Sequence, residues 1–231
     1  MTTHSIIESI RALPAGWNPS GSLNLQVIDR LYKCAAGAEN SAETGCGKST
    51  LALSHAAKKH LVFACEAFPG DDPEEHSLNK VRKSELLNVG ACQFVIGTTQ
   101  TTLPAFNFDR RFDLVLLDGP HGFPFPELEY YYFYPHIRKG GWLVIDDIQI
   151  PGVAQMVDIL KKDRMFSLQY VVRTTAFFRR TDSPLFSPTG DGWWEQGYNK
   201  RYGYSVRHVQ LGLRPRIFVQ GLMRRISALR G

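Results

Sequence analysis

The chain has 231 residues, of which 43% are hydrophobic and 21% charged, the composition of an ordinary globular protein with one sizeable core. No apolar run approaches the length of a membrane span, and the first residues lack the basic and apolar regions of a secretory signal peptide. The four cysteines are scattered without a C-x-x-C pair, which favours reduced thiols over a disulfide framework or a zinc site. These features predict a cytoplasmic protein.

The net charge of +5 is concentrated at the end of the chain. Residues 182–231 contain eight Lys and Arg residues against three acidic residues, so the rest of the chain is neutral. A neutral body without a nucleic-acid reader motif predicts no nucleic-acid partner. Residues 214–230 carry apolar residues at helical spacing, flanked by arginines. They predict a helix that packs on the body, forms a homodimer or lies on an anionic membrane surface.

Apolar periodicity predicts two helices at the start of the chain, followed by a regular alternation of strands and helices. The first two helices cover residues 5–12 and 22–36. The first strand ends near residue 43, and the later strands are residues 60–65, 92–96, 113–117, 142–145, 168–172 and 175–178. The helices between them are residues 49–59, 75–88, 128–137 and 152–163.

Strand–helix alternation with continuously apolar strands predicts a parallel sheet covered by helices on both faces. The last two strands are separated by little more than Arg173 and Thr174, which is too short for a crossover, so they should be antiparallel. We therefore predict an α/β fold, a Rossmann-like three-layer sandwich with a mostly parallel seven-stranded sheet whose last strand is antiparallel. An N-terminal helical extension (residues 1–40) precedes the core (residues 41–181), and an aromatic, Arg-rich, basic C-terminal appendage (residues 182–231) follows it.

A glycine-containing loop at residues 42–50 follows the first predicted strand. Gly45 and Gly47 allow a tight turn and a close approach of a ligand, and the next helix begins with unpaired N–H groups. One interpretation is the Walker A loop of a P-loop NTPase or kinase, running from Ala42 to Ser49 with Ala in place of the first glycine. Against it, residues 36–41 contain no large apolar residue for the preceding strand, and Ala42 adopts positive φ less readily than glycine.

Acidic residues end four of the first five predicted strands: Glu43, Glu66, Asp118 and the pair Asp146 and Asp147. Because ligands bind beyond the carboxyl ends of parallel strands, these residues predict a polar site at that edge. Glu66 lies 19 residues after Gly47 and ends the second strand, where a carboxylate accepts hydrogen bonds from ribose hydroxyls. The Walker interpretation gives no role to Glu66 or to the aspartate pair.

Four segments occur here in the order and spacing of one enzyme family. They are E-T-G-C-G at residues 43–47, Glu66, residues 112–121 ending in D-G-x-H, and G-G-x-x-x-x-D-D at residues 140–147. Together they resemble the class I S-adenosylmethionine (SAM)-dependent methyltransferases, in the branch with D-G-x-H after strand four and D-D after strand five. The resemblance implies a seven-stranded sheet with an antiparallel last strand, SAM as cofactor and a small-molecule methyl acceptor.

The resemblance also implies the residues that hold SAM. The cofactor-binding candidates are Glu43, Gly45, Gly47, Ser49, Glu66, Thr98 and Asp118. The first three would contact the methionine part, and Glu66 would hold the ribose. Thr98 follows strand three, where the family often has an acid that binds the adenine amino group, so the chain departs from the family's pattern there.

The catalytic candidates are His121 and Asp118. Because an acceptor hydroxyl must lose its proton, His121 is a candidate general base; alternatively, it caps the next helix or pairs with Asp118. Asp118, Asp146 and Asp147 would suit Mg²⁺, as in similar O-methyltransferases that use a metal to acidify neighbouring hydroxyls, or they orient loops. The predicted reaction is O-methylation of a small-molecule, sugar or natural-product hydroxyl. Candidates for a lid over the acceptor are the aromatic residues Phe123, Phe125, Trp193, Trp194 and Tyr198.

A third interpretation is a Rossmann-like binding or assembly protein without catalysis, for which the sequence offers no positive feature.

Overall fold

The computed structural model describes residues 3–14, 16–17, 23–67, 70, 72–186, 194 and 196–201. The chain divides into two compact units, Met1–Pro188 and Thr189–Gly231. The tail helix predicted at residues 214–230 and the lid candidate Trp193 lie outside the described residues. The predicted domain boundaries therefore stay predictions.

Seven strands of the first unit form one sheet. They are β1 (Ala38–Thr44), β2 (Ala57–Ala64), β3 (Cys92–Ile96), β4 (Phe112–Leu117), β5 (Ile137–Ile145), β6 (Phe166–Val172) and β7 (Thr175–Arg180). The strand order is β3-β2-β1-β4-β5-β7-β6. Strand β7 runs antiparallel to β5 and β6, and all other pairs are parallel. This topology confirms the predicted Rossmann-like sheet with an antiparallel last strand.

Helices cover both faces of this sheet. They are α1 (Thr3–Arg11), α2 (Leu25–Ala35), α3 (Lys48–Ala56), α4 (Ser77–Lys83), α5 (Thr99–Ala105), α6 (Phe125–Phe133) and α7 (Pro151–Leu160). The second unit contains the helix α8 (Gly197–Arg201). In β4, Leu114 and Leu116 join the core beneath α1, α2 and α3, while Val115 and Leu117 join the core beneath α5, α6 and α7. Successive strand residues point to opposite faces, so one strand serves both cores. Among the described residues, no helix has the length and hydropathy needed to cross a membrane.

The helices predicted at residues 49–59 and 128–137 overlap strands β2 and β5, which begin at Ala57 and Ile137. Two further elements differ from the sequence-based expectation. Strand β1 begins at Ala38, although residues 38–41 carry no large apolar side chain. It forms because β2 and β4 pair with it from both sides, so its backbone hydrogen bonds outweigh weak strand propensity. Helix α5 has no counterpart among the predicted helices, because Thr99–Ala105 is short, threonine-rich and contains Pro104.

One carboxylate is enclosed where β1, β4 and α6 pack together. Glu129 of α6 is 1% exposed, and its Oε2 accepts a hydrogen bond of 2.7 Å from the Thr44 hydroxyl. Burial raises the pKa of Glu129 to about 7, although the hydrogen bonds that it accepts act in the opposite direction. The fold therefore penalises the charged form of this side chain.

We predict that stability depends on pH through Glu129. Because its pKa rises from 4.5 to about 7 on folding, the wild-type protein should lose stability as pH rises through this window. Glu129→Gln removes the titration. Its free energy of unfolding, relative to wild type, should rise by up to about 3 kcal/mol between about pH 5 and about pH 8. Chemical unfolding at several pH values measures this difference. Glu74→Gln, at a side chain 69% exposed, is the matched control, and a pH-independent difference for Glu129→Gln would contradict the prediction.

Candidate active site

Two cavities lie at the carboxyl ends of the parallel strands. The larger, about 630 Å³, opens between the segments that follow β1, β2, β4 and β5, near the β6–β7 turn, and the smaller, about 310 Å³, lies towards α5. Both are lined by Gly45, Ala64, Cys65, Asp118 and Gly119. We call the two cavities together the strand-end groove. A further cavity of about 660 Å³ between α1 and α2 contains none of the predicted site residues.

The glycine loop brings two strand ends into direct contact. Gly45 has a φ of 78°, and a Cβ atom there would overlap the backbone oxygen of Asp118. Its N–H donates a hydrogen bond of 2.9 Å to the carbonyl of Phe63 in β2. Gly45 is therefore required both by its backbone conformation and by the close approach of the segment after β4.

The predicted Walker A alternative does not match this loop. Ala42 is fully buried inside β1, where it pairs with Leu61 of β2 and Val115 of β4. Only residues 45–47 separate β1 from α3. A Walker A loop needs its first six positions free to wrap phosphates, whereas the first three here form paired strand. The weak strand propensity of residues 36–41, raised against the Walker interpretation, was not a valid objection, since β1 forms there.

Glu43 supports the glycine loop from beneath. It is fully buried, and its Oε1 accepts a hydrogen bond from Thr50 and lies 3.2 Å from Nε2 of His60. The Thr50 hydroxyl in turn accepts a hydrogen bond of 3.0 Å from the N–H of Gly47. Nδ1 of His60 lies 2.8 Å from the Ser41 hydroxyl. This buried chain of contacts fixes the loop. The sequence analysis singled out Glu43 but not His60, whose signal is a polar residue at an interior strand position.

The other predicted cofactor contacts are divided between the groove and its surroundings. Thr98 lines the smaller cavity at the start of α5. Glu66 is exposed two residues beyond the end of β2, next to Cys65, which lines both cavities. Ser49 is 3% exposed in the first turn of α3 and lines neither cavity. Glu43 and Gly47 are also absent from the lining of both cavities.

An acidic cluster with one histidine lies in the larger cavity. Asp118, His121 and Asp147 each offer one ligand atom, all within 4.8 Å of one another. Nε2 of His121 lies 2.8 Å from Oδ2 of Asp147 and 4.0 Å from Oδ1 of Asp118. That nitrogen is buried and, among the described residues, has no hydrogen-bond partner in acceptable geometry. We call these three residues the Asp–His–Asp cluster.

Asp146, the third predicted metal ligand, makes other contacts. Its Oδ1 accepts a hydrogen bond of 3.3 Å from the Thr174 hydroxyl and another from the Thr175 hydroxyl, at the β6–β7 turn. The strand ends thus bring Asp118 and Asp147 together with His121 and leave Asp146 outside the group. Asp147 has a φ of 55°, so the backbone turns sharply between the two aspartates.

The carboxylates of the groove raise one another's affinity for protons. Burial, then the charges of Asp146 and Glu43, raise the pKa of Asp118 well above its usual range. Burial also raises the pKa of Asp146, although the hydroxyls of Thr175 and Thr174 oppose this. A positive charge in the groove would favour the ionised form of these groups.

Of the aromatic lid candidates, Phe123 and Phe125 are absent from the lining of both cavities. Phe123 is 79% exposed in the turn before α6, and Phe125 is the first residue of that helix. Trp194 and Tyr198 belong to the second compact unit, which we describe separately.

We compared the chain with known protein families, sequences and structures. Residues 42–148 match a family model described as a methyltransferase domain. No curated protein sequence matches the chain significantly.

Among solved structures, cofactor-bound Rv0187 from MTB is similar, with a TM-score of 0.57, 16% identity, and coverage of 78% of this chain and 88% of that one. An O-methyltransferase from Bacillus cereus in complex with S-adenosylhomocysteine (SAH) has a TM-score of 0.56, 15% identity, and coverage of 78% and 90%. The N-methyltransferase NodS from Bradyrhizobium japonicum, also with SAH, has a TM-score of 0.50, 15% identity, and coverage of 78% and 99%. Residues 42–148 are thus similar to a methyltransferase domain, and the fold is shared with solved methyltransferases, in agreement with the family resemblance noted in the sequence.

Proposed function

We propose that the protein is a SAM-dependent methyltransferase that methylates a hydroxyl oxygen of a small molecule, sugar or natural product. The observation that carries this proposal is the strand-end groove, whose two cavities meet at Gly45 and Asp118 within the matched methyltransferase domain. Bound SAM would supply a methyl group activated by a sulfonium. The chain's part is to hold that methyl group in line with the acceptor and to remove the acceptor's proton.

The groove fits the parts of SAM in sequence. The smaller cavity, with Thr98 at its wall, would take the adenine. Exposed Glu66 would accept the ribose hydroxyls. The backbone of Gly45 and the carboxylate of Asp118 would hold the methionine part beside the larger cavity. Glu43, Gly47 and Ser49 would then act indirectly, by shaping the loop.

The choice of oxygen rests on His121. Similar folds occur in an O-methyltransferase and in the N-methyltransferase NodS, so the fold does not choose the acceptor atom. Nε2 of His121 lies 2.8 Å from Oδ2 of Asp147, so Asp147 would hold a proton on that nitrogen and stabilise the imidazolium that forms when Nδ1 accepts a proton from a hydroxyl. An uncharged amine attacks without prior loss of a proton and has less need of this base.

The Asp–His–Asp cluster also suits a divalent cation. Its two carboxylates fit Mg²⁺, and the ring nitrogen fits Mn²⁺ or Zn²⁺ better. A metal here would lower the proton affinity of an acceptor hydroxyl in place of a base. A neutral imidazole that binds a metal through Nε2 carries its own proton on Nδ1. His121 therefore cannot be metal ligand and base at once, and metal dependence distinguishes the two roles.

The partners that follow from this proposal are SAM and a small-molecule acceptor. Homodimer or membrane contact through residues 214–230 concerns a segment outside the described residues and stays a prediction.

Calorimetric titration tests the cofactor. We expect wild-type protein to bind SAM and not ATP. Glu66→Ala should weaken SAM binding by about tenfold or more, because two hydrogen bonds to a charged group are lost. Lys48→Ala is the matched control; it removes the residue that a P-loop would need, and it should change the affinity less than about threefold. Binding of ATP without binding of SAM would refute the methyltransferase proposal.

Metal addition tests the Asp–His–Asp cluster. After treatment with EDTA, Mn²⁺ or Mg²⁺ should raise the unfolding temperature of wild-type protein, because a ligand that binds only the folded state stabilises it. Asp147→Asn should abolish this increase. Asp146→Asn should retain it, since the Asp146 carboxylate is bonded to Thr174 and Thr175. Loss of the response in Asp146→Asn as well as in Asp147→Asn would restore the predicted three-aspartate site, and a response retained in Asp147→Asn would refute the cluster.

If activity proves independent of metal, His121 should be the base. His121→Ala should then lower kcat by about a hundredfold while leaving the affinity for SAH unchanged. Release of SAH across a panel of phenolic, sugar and amine acceptors provides the assay. His76→Ala, at another histidine that lines the same cavity, is the control for general damage to the groove. Equal losses in the two variants, or none in His121→Ala, would exclude the assigned role.

A further inference from the structure

The carboxyl group of Glu129 lies behind the strand-end groove, on the side away from solvent. Glu129 lines neither cavity and is 1% exposed, yet it reaches three segments that do line them. Given the proposed SAM site, we propose that Glu129 is a positioning residue that sets the geometry of the groove by joining the end of β1, the segment after β4 and the start of α5.

The strongest part of this connection runs through Thr44, the last residue of β1. Its hydroxyl donates to Oε2 of Glu129 at 2.7 Å and accepts a hydrogen bond of 3.1 Å from the N–H of Asp118. One buried hydroxyl therefore links the carboxylate on α6 to the first residue after β4. Since Thr44 precedes Gly45, the same link adjoins Gly45 and Asp118, two of the residues that line both cavities.

Gly119 gives a second contact with the segment after β4. Its backbone lies against the Glu129 carboxyl group and favours the charged form. A Cβ atom at position 119 would overlap Oε1 of Glu129. The carboxyl group thus packs directly on the backbone of the groove wall, and a movement of one requires a movement of the other.

Thr99, in the first turn of α5, completes the set. Its hydroxyl is buried beside the same carboxyl group, and Thr99 lines the smaller cavity. Among the described residues, neither Oγ1 of Thr99 nor Oε1 of Glu129 has an aligned hydrogen-bond partner. Glu129 thereby touches the wall on the proposed adenine side as well as on the methionine side.

The position of Gly45 explains why this brace should matter for binding. Because a Cβ atom at Gly45 would overlap the carbonyl of Asp118, the loops after β1 and β4 have no spare space between them. A small shift of Asp118 must therefore move Gly45, and with it the floor of the groove. A displacement of about 1 Å at such a site is enough to weaken binding strongly.

The test measures the affinity for SAH by calorimetry at about pH 8. Thr44→Val keeps the shape of the side chain and removes the shared hydroxyl, so it should weaken SAH binding by about tenfold. Thr44→Ser restores the hydroxyl and should bring the affinity back to within about threefold of wild type. Glu129→Gln leaves one acceptor oxygen for the Thr44 hydroxyl and the Gly119 N–H. Its affinity for SAH should fall about as much as that of Thr44→Val.

A double-mutant cycle separates positioning from simple destabilisation. If Thr44 and Glu129 act through one link, the double variant should bind SAH no more weakly than the weaker single variant. Val157→Ala, in the buried face of α7, is the matched control; it should lower the unfolding temperature without changing the affinity for SAH. Circular dichroism verifies that each variant is folded.

The outcomes are distinct. If wild-type protein binds SAH and Thr44→Val and Glu129→Gln bind it equally well, the positioning role alone is overturned. The same holds if the losses of affinity in the two single variants add in the double variant. Failure of wild-type protein to bind SAH would overturn the proposed function and the inference with it. Weakened binding in both single variants, rescue by Thr44→Ser and no further loss in the double variant would establish the role.

Discussion

The backbone contact between Gly45 and Asp118 is the constraint on which the groove depends. Strands β1 and β4 are neighbours in the sheet, so their following segments leave it side by side. A Cβ atom at Gly45 would overlap the Asp118 carbonyl, and its positive φ turns the chain at once towards α3. The two cavities meet at this contact. Buried hydrogen bonds support this contact. Glu43 and Thr50 support the segment after β1, and Glu129 and Thr44 support the segment after β4.

The charges of the groove are consistent with a cationic ligand. Asp118, Asp146 and Asp147 face the larger cavity, and burial together with mutual repulsion raises the pKa of Asp118. A ligand that brings a positive charge offsets this repulsion and keeps the aspartates ionised. The proposed sulfonium carries such a charge, and so does a divalent cation. A triphosphate would add negative charge to the same walls, which is a reason, independent of the loop, to prefer SAM over ATP.

Much of this fold could be predicted because its signals are local and repeated. Apolar strands alternating with helices predicted the sheet, and the short connection at Arg173 and Thr174 predicted the antiparallel last strand. The site was predictable only at the level of the strand ends, because topology alone brings those residues to one edge. Which way a side chain turns there depends on partners distant in sequence. Asp146 turns to the β6–β7 turn, and His121 joins the cluster in its place.

The residues that the sequence did not reveal are buried polar groups. His60 and Glu129 have no motif, and each is recognisable only when its partner on another element is known. Polar residues inside an apolar pattern are the available signal, since a buried polar group must find a hydrogen-bond partner. Glu129 interrupts a helix rich in tyrosine, but the sequence cannot show that Thr44 lies opposite it.

The glycine loop demonstrates how the surrounding fold decides between two interpretations of one sequence. Residues 42–49 contain the final Gly-Lys-Ser of a Walker A loop, and α3 begins at the lysine as it would in a P-loop protein. What differs is where the strand ends. Pairing with β2 and β4 extends β1 through Thr44, and this leaves three residues between strand and helix. Three residues are fewer than a Walker A loop uses to wrap phosphates, but they bring the backbone of Gly45 to the wall of the strand-end groove. The extent of the paired strand, and not the identity of Lys48, therefore determines what this loop can bind.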